Sequence, residues 1–294
     1  MKNVLESGID MVLWLQSFSP TFDLMFKVFS LSGNELFYLL FLPLIIWSIS
    51  FRLGVRLMFL VLLSTYVNSF AKLLFDQPRP FNYDPRVKEI VSASGGGFPS
   101  GHTQNALVFW SYLAFNFKSK RLWFFAILMA IFVPLSRVYL GVHFPIDILG
   151  GYALGIIILL LFIKLEAPLT DFVKRQTFNK QLLLSLLLPA ICLIILPPDD
   201  ATGILICGVL AGCSLGFVFE EKWINFKVAK SYRRKLLCYL IGTILLFVLY
   251  IGLKRLFLGL EPSMVFLFSR YFIIGIYFTF LAPWILKKLK LIDG

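Results

Sequence analysis

The chain has 294 residues, 59% of them hydrophobic and only 15% charged, against roughly 45–50% apolar residues in an ordinary soluble domain. So little polar surface cannot wrap a water-facing globule of this size, and the composition places the chain in a bilayer. Its net charge of +12 comes from Lys and Arg in short clusters between long apolar runs, the pattern of membrane topology signals, which argues against a nucleic-acid partner.

In chain order, residues 1 to 33 begin with Lys2 and an apolar stretch interrupted by Asp10, Pro20, Asp23 and Lys27. Lacking a small-residue cleavage site, this stretch is not read as a removable signal peptide. An interfacial or broken helix, or a helical pair at the membrane surface, is expected instead. A span needs roughly 20 mostly apolar residues, because a helix rises ~1.5 Å per residue across a hydrocarbon layer ~30 Å thick. Eight or nine stretches qualify: 34 to 51, 55 to 75, 101 to 117, 122 to 138, 145 to 163, 181 to 197, 202 to 219, 236 to 256 and 264 to 286. The polar stretch 164 to 180, with Pro168 and Thr170, separates the first five from the last four. The expected fold is therefore all-α, a polytopic membrane helical bundle. It divides into an N-terminal element (1 to 33), a five-span core (34 to 163), a cytoplasmic linker (164 to 180) and a four-span C-terminal extension (181 to 294). Cys192, Cys207, Cys213 and Cys238 all fall in apolar stretches and read as small core residues.

Loop charges orient the bundle, since short loops rich in Lys and Arg stay cytoplasmic. Arg52 and Arg56, then Lys118, Lys120 and Arg121, then Lys164 through Lys180, then Lys222 through Lys235, and finally Lys287, Lys288 and Lys290 mark every second loop. Loops 76 to 100, 139 to 144, 198 to 201 and 257 to 263 then face outward, and the turn Pro197, Pro198, Asp199, Asp200 carries no basic residue.

Three polar clusters lie at the outward ends of spans. Lys72 is followed after six residues by Arg79 and Pro80; Pro99, Ser100, Gly101 and His102 form the second; Ser136, Arg137, His143 and Asp147 form the third. Ionisable groups near a bilayer are retained mainly where they pair or act, and the chain's two histidines both lie in these clusters. A phosphate is the natural guest. His143 and Asp147, four apart, share a helix face, so the carboxylate can hold one ring nitrogen and leave the other to attack phosphorus. His102 is free to protonate the departing oxygen. Lys72, Arg79 and Arg137 would hold the nonbridging oxygens, with Ser100 and the Gly101 amide as further donors at a helix start. Gly95, Gly96 and Gly97 read as a flexible loop. Arg270, deep in the last span, is expected either to pair with Glu261 or to reach a headgroup.

This layout resembles the type 2 phosphatidate phosphatase superfamily, which also holds glucose-6-phosphatase-like enzymes and vanadium haloperoxidases. The resemblance covers roughly residues 34 to 163 and all three motifs. It implies a lipid phosphatase with a phosphohistidine on His143, orientation by Asp147, leaving-group protonation by His102, and phosphate binding by Lys72, Arg79, Ser100, Gly101 and Arg137, with no metal and no cofactor. The expected activity is hydrolysis of a phosphate monoester or diphosphate on a membrane lipid, by an integral protein of a bacterial inner membrane whose site faces the periplasm or exterior. A phosphotransferase using the same intermediate and a catalytically silent lipid-binding or transport protein are the alternatives. Expected partners are a phosphorylated lipid and the bilayer, with homodimer contact one role open to the C-terminal spans.

Overall fold

A computed structural model of the chain describes residues 2–197, 200–260 and 263–292, with side chains from residue 4 onward. Pro198 and Asp199 of the acidic turn, and Glu261, lie outside the described residues. Among the described residues the chain is helical and has no strand. In order the helices are α1 (Lys2–Gln16), α2 (Asp23–Leu31), α3 (Glu35–Leu44, continued by a π-helical Ile45–Ile49), α4 (Phe51–Phe75), α5 (Pro80–Tyr83), α6 (Gly101–Phe117), α7 (Lys120–Tyr139), α8 (Pro145–Lys174), α9 (Phe178–Ile195), α10 (Ala201–Trp223), α11 (Tyr232–Leu256), α12 (Met264–Ile276, continued by a π-helical Tyr277–Leu281) and α13 (Ala282–Lys288).

Seven segments among the described residues are long and apolar enough to cross a membrane, and the pair α2 and α3, bent by 54°, makes an eighth if it is one span. The protein is an integral membrane protein. Two expectations change. The stretch 101 to 117 forms a helix with those limits, but at 17 residues it is about 25 Å long and is not one of the seven. The stretch 164 to 180 is not a linker throughout: α8 continues through Pro168 to Lys174, and α9 starts at Phe178. Polar residues there mark a change of surroundings rather than the end of a helix.

The chain parts into two compact units, Met1–Tyr38 with Leu63–Ile163, and Leu39–Leu62 with Lys164–Gly294. Residues 39 to 62, expected in the core, thus group with the C-terminal part. Within that second unit Trp47 Nε1 donates to Phe278 O at 3.2 Å and Ser48 Oγ to Lys235 O at 2.7 Å. Gly208, Gly212 and Gly216 bring α10 against the backbone of α12 and its continuation, so any Cβ there would meet main-chain or Thr279 atoms, the close approach that small residues allow between membrane helices. The four cysteines are buried and form no disulfide.

In the first unit, residues 1 to 33 are built into the fold. Leu5, Ile9, Val12 and Leu15 form one stripe of α1, packed with Phe26, Val87 and the segment Val138, Tyr139, Leu140, Val142, Phe144. Helix α2 lies on α7, where Tyr139 donates to Asp23 Oδ1 at 2.7 Å and the rings of Phe26 and Tyr139 are 4.3 Å apart. Amide side chains join α4 to α6: Asn68 donates to Gln104 Oε1 at 2.9 Å, Gln104 to Ser64 O at 2.7 Å, and Ser64 to Asn105 Oδ1 at 2.6 Å.

Gln16 is the clasp between α1 and the rest of this unit. Its amide donates to Lys88 O (2.7 Å) and Tyr139 O (3.2 Å), and its oxygen accepts from Lys88 N (3.0 Å). Gln16→Leu keeps the volume and strands those main-chain groups, so unfolding in detergent should show a loss on the order of 1–3 kcal/mol. A melting temperature equal to wild type would contradict the clasp.

Candidate active site

Four helix ends meet in the first unit. Lys72 stands in the last turn of α4, Gly101 and His102 open α6, Arg137 lies in the last turn of α7, and Asp147 lies in the first turn of α8. They converge because successive helices reverse direction, so an end of one meets a start of the next. The result is a cavity of about 560 Å³ whose walls include Lys72, Arg79, Gly101, His102, Arg137 and His143. That volume exceeds the need of one phosphate and lies within the range of sites for whole small molecules.

Counting donors shows what the cavity can accept. Lys72 Nζ gives two hydrogen bonds, to Gly96 O (2.5 Å) and Gly97 O (3.1 Å), leaving one of an ammonium's three protons. Arg79 donates from Nε to Gly95 O (3.0 Å), from Nη1 to Val142 O (2.8 Å) and from Nη2 to Ser94 O (2.7 Å). It clamps the site's loops as much as it lines the cavity. Arg137 is buried and bonds through Nη1 to Ser30 Oγ, while its Nε has no partner among the described residues. No carboxylate comes within ion-pair distance of these three cations among the described residues. The N-terminus of α6 adds its dipole at the same place, which also favours an anion.

Asp147 is fully buried and serves as an acceptor on three sides: His143 Nδ1 at 3.0 Å, Phe144 N at 2.9 Å and Gln77 Nε2 at 2.6 Å. An ionised carboxylate only accepts, so Nδ1 of His143 carries the hydrogen and Nε2 keeps its lone pair. That Nε2 lies 3.4 Å from Arg79 Nη1. His143 sits in the loop between α7 and α8. Burial, followed by the positive charges of Lys72, Arg137 and Arg79, holds its pKa well below the ordinary imidazole value. A neutral nucleophile beside a cationic anion-binding wall can carry out attack on phosphorus.

The structure places Ser100 differently from the sequence-based expectation. It caps α6, its Oγ accepting from Thr103 N (3.4 Å) and Thr103 Oγ1 (2.9 Å), and it is not among the residues that line the cavity. The cap engages the lone pairs of its hydroxyl and leaves the O–H proton as the donor it could offer. The glycine triplet is also more constrained than a flexible loop: Gly95 has φ +69°, and all three carbonyls accept from Lys72 or Arg79. Sequence reasoning missed Gln77 and an entire wall of the cavity, formed by Lys27, Ser30, Leu31, Gly33 and Asn34. Nothing in residue spacing pointed to these. Among the described residues no group of three His, Cys, Asp or Glu side chains could hold a metal ion.

Phosphate itself should therefore bind. Millimolar orthophosphate is expected to raise the melting temperature of the wild-type protein, as any ligand of the folded state does, and to leave Arg137→Met unshifted. Equal shifts in both would contradict an anion site built on Arg137.

Two family models match the chain: "PAP2 superfamily" over residues 53–171 and "PAP2 superfamily phosphatase, transmembrane extension" over residues 204–293. Lipid phosphate phosphatase delta of Arabidopsis thaliana is 29% identical over 58% of this chain and 44% of its own length. Sphingosine-1-phosphate phosphatase 1 of Mus musculus is 30% identical over 50% and 35%, and undecaprenyl-diphosphatase BcrC of Bacillus subtilis 31% identical over 36% and 54%. The chain thus spans about half the length of these relatives, or less. With two PAP2 models accounting between them for more than half of its residues, the chain belongs to the PAP2 superfamily.

Proposed function

We propose that this protein is a lipid phosphatase that hydrolyses a phosphate monoester or diphosphate on a membrane lipid, at the extracytoplasmic face, through a phosphohistidine on His143 and without a metal. One observation carries the reading: three cations without a carboxylate partner surround an imidazole whose far nitrogen is held by a buried carboxylate. The names of the relatives support it, since a lipid phosphate, sphingosine-1-phosphate and undecaprenyl diphosphate share a phosphate on a hydrophobic body. Leu31, exposed and lining the cavity, offers apolar contact where such a body would meet the site. The alternation of basic loops along the sequence supports the outward face.

In the proposed reaction the phosphate binds to Arg137, Lys72, Arg79 and the Gly101 amide. Nε2 of His143 forms a bond to phosphorus as the bond from phosphorus to the lipid oxygen breaks, and His102 delivers a proton to that oxygen. His102 then takes a proton from water, whose oxygen attacks phosphorus and breaks the P–N bond, releasing inorganic phosphate and the original imidazole. Asp147, with Gln77 behind it, keeps the ring of His143 in one orientation through both steps, and the cations meet the charge that grows on the equatorial oxygens.

His143→Ala should reduce phosphate release from a panel of lipid phosphates by roughly four orders of magnitude or more, and release that survives the change would refute the nucleophile. His102→Ala should slow esters with alkyl leaving groups far more than p-nitrophenyl phosphate, because a good leaving group needs little protonation. The depressed pKa of His143 fixes a pH dependence as well. Protonation destroys the nucleophile, so a lowered pKa lets activity persist to lower pH, and the acidic limb of kcat/KM, which reports free enzyme, should fall below the ordinary imidazole value of ~6.5. A limb at or above that value would contradict the cationic surroundings.

A further inference from the structure

The N-terminal wall of the cavity lies outside both stretches matched by the family models, yet it reaches one of the two histidines. Asn34 Oδ1 lies 3.0 Å from Nε2 of His102. Gly33 sits so close to the same ring that a Cβ added there would fall on it. The corner carrying both residues is itself held in place: Ser32 Oγ donates to Phe29 O at 2.7 Å, Ser30 accepts from Arg137, and Asp23 accepts from Tyr139. Asn34 is thus presented to the imidazole from the bend that follows α2, a helix held near both ends.

We propose that Asn34 is a positioning residue for His102, locking the Nε2–H tautomer so that Nδ1 is the nitrogen that exchanges the proton with the leaving oxygen and then with water. The inference rests on the phosphatase reading above. An amide oxygen accepts a hydrogen bond and carries no net charge, so it orients the ring without stabilising the imidazolium. The charged and titratable side chains that line the cavity with His102 are all cationic or imidazole: Lys27 from α2, Lys72 from α4, Arg79 before α5, Arg137 from α7 and His143 from the loop after it; Asp147 stands behind His143, and Glu35 follows Asn34 in the chain. A ring oriented by an amide amid that charge gives up its proton readily, as an acid must. A carboxylate in the same place would hold the proton instead. Gly33 complements this by leaving the ring room to lie against the corner.

The test compares Asn34→Ala and Asn34→Asp with wild type and His102→Ala, using full-length protein in detergent and two substrates, a lipid phosphate with an alkyl leaving group and p-nitrophenyl phosphate. Loss of one orienting hydrogen bond in Asn34→Ala should lower kcat on the alkyl ester about tenfold and leave the aryl ester close to wild type. Asn34→Asp restores the acceptor and adds charge. Because the acid acts only while protonated, a carboxylate beside it should carry the basic limb of kcat/KM upward by roughly one pH unit. Equal slowing of both esters by Asn34→Ala, or an unmoved basic limb in Asn34→Asp, would overturn the assignment. If His102→Ala itself shows no leaving-group dependence, the failure lies with the phosphatase mechanism. If it does and the Asn34 variants do not, only the positioning role falls.

Discussion

Bringing Lys72, Arg79 and Arg137 to one cavity sets three like charges in a place largely withdrawn from water, and among the described residues no carboxylate stands within ion-pair distance of any of them. Such an arrangement opposes folding unless something offsets it. Part of the offset is hydrogen bonding: six bonds run from these side chains to loop carbonyls or to Ser30 Oγ, and the carbonyls of Ser94 to Gly97 turn toward the cations. A bound anion would supply the rest. Asp147 accepts from His143, Phe144 and Gln77 and acts on Lys72 and Arg79 only through space, without a direct ion pair.

The backbone also ties the motifs to one another. Ser100 N donates to Asp147 O at 3.0 Å, fixing the start of α6 to the start of α8, and His143 N reaches Arg137 O at 3.3 Å across the turn that follows α7. Gly97 N donates to Gln77 O at 2.7 Å, closing the loop that Lys72 and Arg79 hold from beneath. These bonds are indifferent to side-chain identity, so the geometry of the nucleophile depends on where helices begin and end. Below them the amide ladder from Ser64 to Asn105 fixes the depth of α4 against α6. A slip of one turn there would carry Lys72 about 5.4 Å from its carbonyls.

What could be read from the sequence followed from constraints that act locally or through topology. His143 and Asp147 are four residues apart, and their pairing was legible from that spacing, although His143 lies in the loop just before α8 rather than on the helix face expected. Lys72, His102 and Arg137 were legible because alternating span directions put their helix ends on one side. The wall at Lys27 to Asn34 was not, since Asp10, Pro20 and Asp23 interrupt the apolar stretch and hide the Leu5, Ile9, Val12 stripe that docks it. Ser100 reads the same way in sequence whether it caps a helix or meets a ligand, and the structure shows the cap. The grouping of residues 39 to 62 with the C-terminal unit depends on contacts such as Trp47 with Phe278, 231 residues apart, for which no local pattern exists.

The two imidazoles differ in what holds them, and the difference follows the division of labour. His143 is buried and held by a carboxylate, a partner that favours added positive charge on the ring, as bonding to phosphorus requires. His102 stands at the mouth against an amide, a partner neutral toward that charge. Two rings of the same chemistry, set in the same cationic field, thus differ in the partner of one ring nitrogen. On the proposed mechanism the first partner suits a nucleophile and the second an acid. The division of acid from nucleophile, on that mechanism, therefore rests on Asp147 and Asn34 as much as on the histidines themselves.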